Sequence, residues 1–184
     1  MEDLKKMSLK ELEDLCGDIR SEIIEVVCKN GGHLGPNLGV VELSTALHYV
    51  YNSPVDKIVW DVGHQSYVHK MLTGRRDRFH TIRKRGGLGP FTDPNESIHD
   101  QFISGHAGSA LSVSAGLAAA NPDKNVAVVI GDASFANGTT LEALNDINGK
   151  LKNLTIIIND NEMSIGENVG AISGILNKVI NSSF

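Results

Sequence analysis

The chain has 184 residues, enough for one domain with a substantial core. Hydrophobic residues make up 41% and charged residues 21%, an ordinary globular composition that excludes a disordered chain. The formal net charge of −5 argues against a nucleic-acid-binding role, and no apolar run approaches the length of a membrane span.

The charged start MEDLKK has no apolar signal-peptide core, and the expected location is the cytoplasm. Ser8 to Glu11 reads as a capping box opening a helix. Leu9, Leu12, Leu15, Cys16, Ile19, Ile23 and Val27 follow at helical spacing, and Gly31-Gly32 ends the run. Cys16 and Cys28 fall on this one helix, roughly 18 Å apart along its axis, so two free thiols are expected. A second helix is predicted over 40–51. KIVWD, from Lys57 to Asp61, is a short apolar strand that breaks at Gly63-His64, with a helix following to Leu72.

The segment 73–95, rich in Arg, Gly and Pro, is the least regular, and DQFIS is a candidate weak fourth strand. Gly108 to Ala120 is small and apolar, as in a helix packed closely on a sheet. NVAVVIG and LTIIIND are unbroken β-branched runs, the pattern of parallel strands covered on both faces. The stretch 139–148 between them is helical in pattern. These elements predict a single α/β domain, a parallel sheet with helices on both faces.

Both of the last two strands run into small polar clusters, Gly131-Asp132-Ala133-Ser134 and Asn159-Asp160-Asn161. Ligands of open α/β sheets sit beyond the carboxyl ends of the strands. Asp132 offers a carboxylate, Asn161 an amide oxygen and Met163 a backbone carbonyl, an oxygen-only set that suits Mg²⁺ with phosphate. The amides of Ala133 and Ser134 precede a helix, where N–H groups attract phosphate oxygens. Each cluster alone also reads as a helix cap or a turn. The pair, linked by one strand–helix–strand crossover, reads as a Mg²⁺–diphosphate clamp.

A Gly-Asp-X cluster followed about thirty residues later by Asn-Asp-Asn resembles the thiamine-diphosphate signature. The third position departs from it, with Ala133 where glycine is usual, and SFANG replaces the small-residue segment that normally follows. Farther out, GGHLGPNLGVVELSTALHYVYNSPVDKIVWDVGHQSYVHKMLTGRRDRFHTIRKRGGLGPF, SGHAGSALSVSAGLAAA and INDNEMSIGENVGAIS resemble blocks of the deoxyxylulose 5-phosphate synthase family, of the transketolase superfamily.

That resemblance implies a thiamine-diphosphate-binding fold spanning residues 1–184, with thiamine diphosphate and Mg²⁺ as cofactors. Asp132, Asn161 and the Met163 carbonyl would hold the metal. Ala133, Ser134, Gly105 and His106, the latter two at another strand end, would meet the diphosphate. His33 and His64 match the family's active-site histidines, with His64 also a cofactor contact. The substrates implied are pyruvate and glyceraldehyde 3-phosphate, joined with loss of CO₂ in an isoprenoid-precursor pathway. The family draws a further glutamate from a pyrimidine-binding domain, expected to lie outside this chain, as is a C-terminal domain. A split subunit, a fragment and a catalytically incomplete binding module remain open, as does a transketolase-like subunit with another acceptor. Alone, the chain is expected to bind cofactor weakly and to self-associate or pair with a pyrimidine-domain subunit.

His48, His69, His80 and His99 read as structural. The run GRRDRFHTIRKRG, carrying Arg75, Arg76, Arg78, Arg83, Lys84 and Arg85, reads as a solvated charged face. Gly86-Gly87 reads as a turn, and Glu142 as a residue facing a partner.

Overall fold

The computed structural model describes residues 3–147, 149, 151–160, 171, 174 and 178. Helix α1, Leu9–Asn30, opens on the expected capping box: Glu11 N–H donates to the Ser8 hydroxyl, and the Glu11 carboxylate accepts from Ser8 N–H. It ends at Gly31, whose φ of 74° places it in the left-handed region that glycine tolerates. From Cys16 onward the predicted stripe is buried, whereas Leu9 in the first turn is exposed. A short helix α2, Leu34–Leu38, leads into α3, Val41–Val50.

Strand β1, Lys57–Trp60, is followed by helix α4, Tyr67–Lys70, and by irregular turns through Thr81. Helix α5, Ala110–Ala120, precedes strand β2, Val126–Gly131. A short helix α6, Asp132–Phe135, and then α7, Gly138–Ile147, cross over to strand β3, Leu154–Asn159. The described strands form one parallel sheet in the order β1-β2-β3.

Alternation along the strands divides the apolar residues between the two faces. Val126, Val128 and Ile130 join Val59 against Leu111 and Ala118 of α5 and Ala143 of α7. Ala127 and Val129 join Ile58 and Trp60 against Leu47 of α3. Helices therefore cover both faces, as the unbroken β-branched runs required. A third cluster, with Ile19, Ile23, Val41, Tyr67 and Phe79, fastens α1 to α3 and α4. Cys16 and Cys28 are free thiols.

Two expectations are corrected. DQFIS forms no strand, because its backbone belongs to a loop wound around Asp100. That buried carboxylate accepts from both terminal guanidinium nitrogens of Arg75 at 2.8 Å and from Asp93 N–H at 2.9 Å. Gly105 and His106 consequently follow a loop and not a strand. Arg75 likewise leaves the solvated face assigned to it, since it is buried between Asp100 and Glu96. Arg78, Lys84 and Arg85 are exposed as expected, and the chain turns at Gly86-Gly87, where Gly87 N–H donates to Lys84 O.

Candidate active site

The sheet register places the strand ends side by side. Gly131 pairs with Asn159, and Asp61 N–H donates to Val129 O just past β1. Three chain segments thus leave the sheet at one edge. At the β1 tip, the buried Asp61 carboxylate accepts from Gly108 N–H at 3.0 Å and Ala110 N–H at 3.1 Å, tying the strand to the start of α5.

The chain then reverses sharply. Gly63 N–H donates to Asp61 O at 2.6 Å around Val62, a β-branched residue at φ 59°. An i-to-i+2 bond with positive φ is a strained γ-turn, and such strain gathers at functional sites. Gly63, at φ 81°, has no room for a side chain, because a Cβ there would run into the Ser104 hydroxyl. The turn delivers His64 and Gln65 to the sheet edge.

His33 arrives from the start of α2. Asn37, fully buried, joins the two histidine segments: its Nδ2 donates to His33 O and His64 O, both at 2.7 Å, while its Oδ1 accepts from Tyr67 N–H at 2.9 Å. The His33 and His64 rings meet edge to face with centroids 5.6 Å apart, and Phe91 lies 5.8 Å from His33. Burial pushes the pKa of both imidazoles down. Arg83 depresses His33 further, and His33 depresses His64 further against an opposing pull from Asp61. Both rings are therefore neutral near pH 7 and keep a lone pair for a proton.

A cavity of about 760 Å³ opens between these segments. His33, His64, Gln65 and Phe91 line it on the β1 side. Gly131, Asp132, Ala133, Ser134 and Asn159 line it at the β2 and β3 tips. Ser134 is held from behind, its carbonyl accepting from the buried Thr140 hydroxyl at 2.8 Å. The family profile described as 1-deoxy-D-xylulose-5-phosphate synthase matches residues 1–184. The chain belongs to the 1-deoxy-D-xylulose-5-phosphate synthase family.

Similarity to individual members of the synthase family is high. The 1-deoxy-D-xylulose-5-phosphate synthase of Fusobacterium nucleatum is 60% identical over 174 residues, covering 94% of this chain and 29% of the relative. That of Caldanaerobacter subterraneus is 54% identical over 181 residues, 96% of this chain and 29% of the relative. That of Syntrophotalea carbinolica is 53% identical over 184 residues, 98% of this chain and 29% of the relative. The chain thus spans about 29% of the length of these curated relatives.

In this synthase-family chain the cavity brings together His33, His64, Gly105, Asp132, Ala133 and Ser134. His106 is exposed and stands outside the lining, between the lining residues Gly105 and Ala107. Asn161 and Met163, the other expected metal ligands, lie outside the described residues. Asp132 is therefore the one expected ligand among the described residues, where no three His, Cys, Asp or Glu side chains cluster. Asn37, Gln65 and Phe91 are additions to the sequence reading. Asn37 had a faint signal, a buried-type polar residue inside the Gly/Pro-flanked GPNLG, whereas Gln65 and Phe91 had none.

Proposed function

We propose that this chain is the diphosphate-binding part of a thiamine-diphosphate-dependent transferase. It would join pyruvate to glyceraldehyde 3-phosphate, release CO₂ and form deoxyxylulose 5-phosphate, an isoprenoid precursor. One observation carries the reading: two neutral histidines, one from the start of α2 and one past β1, line one cavity with a buried carboxylate at the β2 tip in a member of this family.

The residues present suit the cofactor. Gly131 has open space where a side chain would stand, so backbone can approach a ligand there. Asp132 supplies the hard oxygen that Mg²⁺ prefers, with Asn161 and the Met163 carbonyl completing the protein's share. Ala133 and Ser134 would contact the diphosphate. Gly105 lines the same cavity, and His106 beside it would meet a phosphate oxygen from the rim. When bound, the cofactor would supply a carbon nucleophile and an electron sink for decarboxylation.

His33 and His64 do the proton work. Because both are neutral, each can take a proton from a hydroxyl and return it to a developing alkoxide at the reacting oxygens. Phe91 and Val62 exclude water from that end. A glutamate from a pyrimidine-binding domain completes cofactor activation, reached through self-association or a second subunit, in the cytoplasm. The test is turnover by this chain assembled with a pyrimidine-binding partner. Product formed from pyruvate and glyceraldehyde 3-phosphate supports the reading. Cofactor binding without consumption of either substrate makes the chain a binding module instead, and turnover with another aldehyde alone makes it a different transketolase-type subunit.

A further inference from the structure

Gln65 has a buried carboxamide that the protein leaves incomplete. The residue is 2% exposed, lines the cavity beside His64, and its Nε2 has no hydrogen-bond partner among the described residues. A buried amide N–H without an acceptor is costly, and buried polar groups are otherwise almost always paired. Its neighbours show what a structural carboxamide looks like here. Asn37 uses both its nitrogen and its oxygen to bind three backbone groups, and the Ser66 hydroxyl is spent on Gly63 O at 2.6 Å. Gln65 braces nothing comparable.

We infer that Gln65 is a substrate-binding residue whose carboxamide donates to an oxygen of the 2-oxo acid, an assignment that rests on the function proposed above. Its position in the cavity selects the ligand. The β2 and β3 tips, with Asp132, Ala133 and Ser134, form the end suited to metal and diphosphate. Gln65 follows His64 on the β1 side of the cavity, which His33 and Phe91 also line and where the imidazoles that share the wall are neutral. A neutral donor there accepts a small carbonyl or carboxylate oxygen while leaving both histidines free to move protons. Nε2 is itself closed off from solvent, so reaching the ligand takes rotation about the last side-chain torsion, which exchanges the amide nitrogen and oxygen without moving the backbone.

The test compares wild type, Gln65→Met and Gln65→Glu in the assembled, turning-over enzyme. Methionine keeps the length and removes the donor. Glutamate keeps the shape and offers only acceptors. The expected Gln65→Met protein melts at or above the wild-type midpoint, because an unpaired buried amide has been removed. It binds thiamine diphosphate within twofold of wild type, while KM for pyruvate rises at least tenfold and kcat moves less. Gln65→Glu raises that KM further. A normal midpoint with unchanged pyruvate KM overturns the inference. A lowered midpoint assigns Gln65 to packing and overturns it too. Weakened cofactor affinity with unchanged pyruvate KM moves the contact to the cofactor and overturns the choice of substrate. Wild-type protein that binds no cofactor sinks the parent reading, and the choice of a 2-oxo acid with it. The ligand-free midpoints still report whether the amide is an unsatisfied donor.

Discussion

The two site histidines owe their chemistry to burial more than to any charged partner. With its pKa held down, a neutral imidazole persists to lower pH than an exposed histidine would allow. The acid limb of kcat/KM is therefore expected below the ordinary histidine value of about 6.5, and a pH–rate profile measures it. A limb above that value contradicts the assignment. Replacing His64 by asparagine or His33 by glutamine should lower kcat about 10²–10⁴-fold, the usual contribution of a positioned acid–base group. Gly63 tests the turn that carries His64. Its positive φ and the Ser104 hydroxyl leave no place for a methyl, so Gly63→Ala should destabilise by about 1–3 kcal/mol, read from denaturant unfolding. The histidines were visible in the sequence because they stand in family-like motifs. Asn37 acquires its full meaning only when its segment meets His64, 27 residues on, a contact that the local GPNLG pattern signals only faintly.

At the scale of elements, a buried charge cluster holds the loop that carries Phe91 and Gly105. Arg75 clamps Asp100, and both Arg75 and Lys70 pair with Glu96. The far oxygen of Glu96 accepts from Gly89 N–H at 2.8 Å, two residues before Phe91. Removing one partner strands a buried charge, so Asp100→Ala should cost about 3–5 kcal/mol. Glu22→Ala, which breaks a partly exposed pair with Arg76, should cost at most about 1 kcal/mol. The repeating patterns that made the helices and strands legible do not extend to this loop. Its shape depends on ion pairs spanning more than twenty residues, which is why it read as an irregular basic stretch with a spurious strand.

The same cluster sets the pH dependence of stability. Asp100 accepts from His69 Nε2, so His69 Nδ1 carries a lone pair for the His48 Nε2 proton at 2.9 Å. His48 Nδ1 then faces no acceptor, and protonating it would bury an unpaired cation. Burial pushes His48 down to about 2, and burial also lowers His69. A histidine depressed in the folded state binds fewer protons than when unfolded. Its contribution is intact above about pH 6.5 and is lost as pH falls, at about 1.4 kcal/mol per unit. For Asp100, burial alone would raise the pKa, but hydrogen bonds from His69 and Arg75 outweigh it. Its stabilisation is present above the ordinary aspartate value and constant across this window. Unfolding free energy should therefore drop by about 2 kcal/mol from His48 between pH 6.5 and pH 5, with His69 acting in the same direction, and the slope should be shallower in His48→Gln.

Across the whole molecule, the sheet works as an aiming device. Parallel pairing brings the ends of β1, β2 and β3 to one edge, and each end contributes to a single cavity. The helices and strands were readable because their apolar periods are local. The convergence of the tips was readable because a parallel sheet puts all its carboxyl ends on one side. Ile98 and Ile103, on the loop beside the cavity, are exposed apolar residues that fit the proposed self-association. Sedimentation should show a dimer or larger species, and a monomer at high concentration contradicts it. The central claim is that the β2 tip holds a divalent ion carrying a diphosphate. Calorimetric titration of thiamine diphosphate into wild type and Asp132→Asn, with and without Mg²⁺, tests it directly. Saturable binding that requires Mg²⁺ and weakens about tenfold or more in Asp132→Asn is the predicted result. Equal binding by both proteins, or binding indifferent to Mg²⁺, would contradict it.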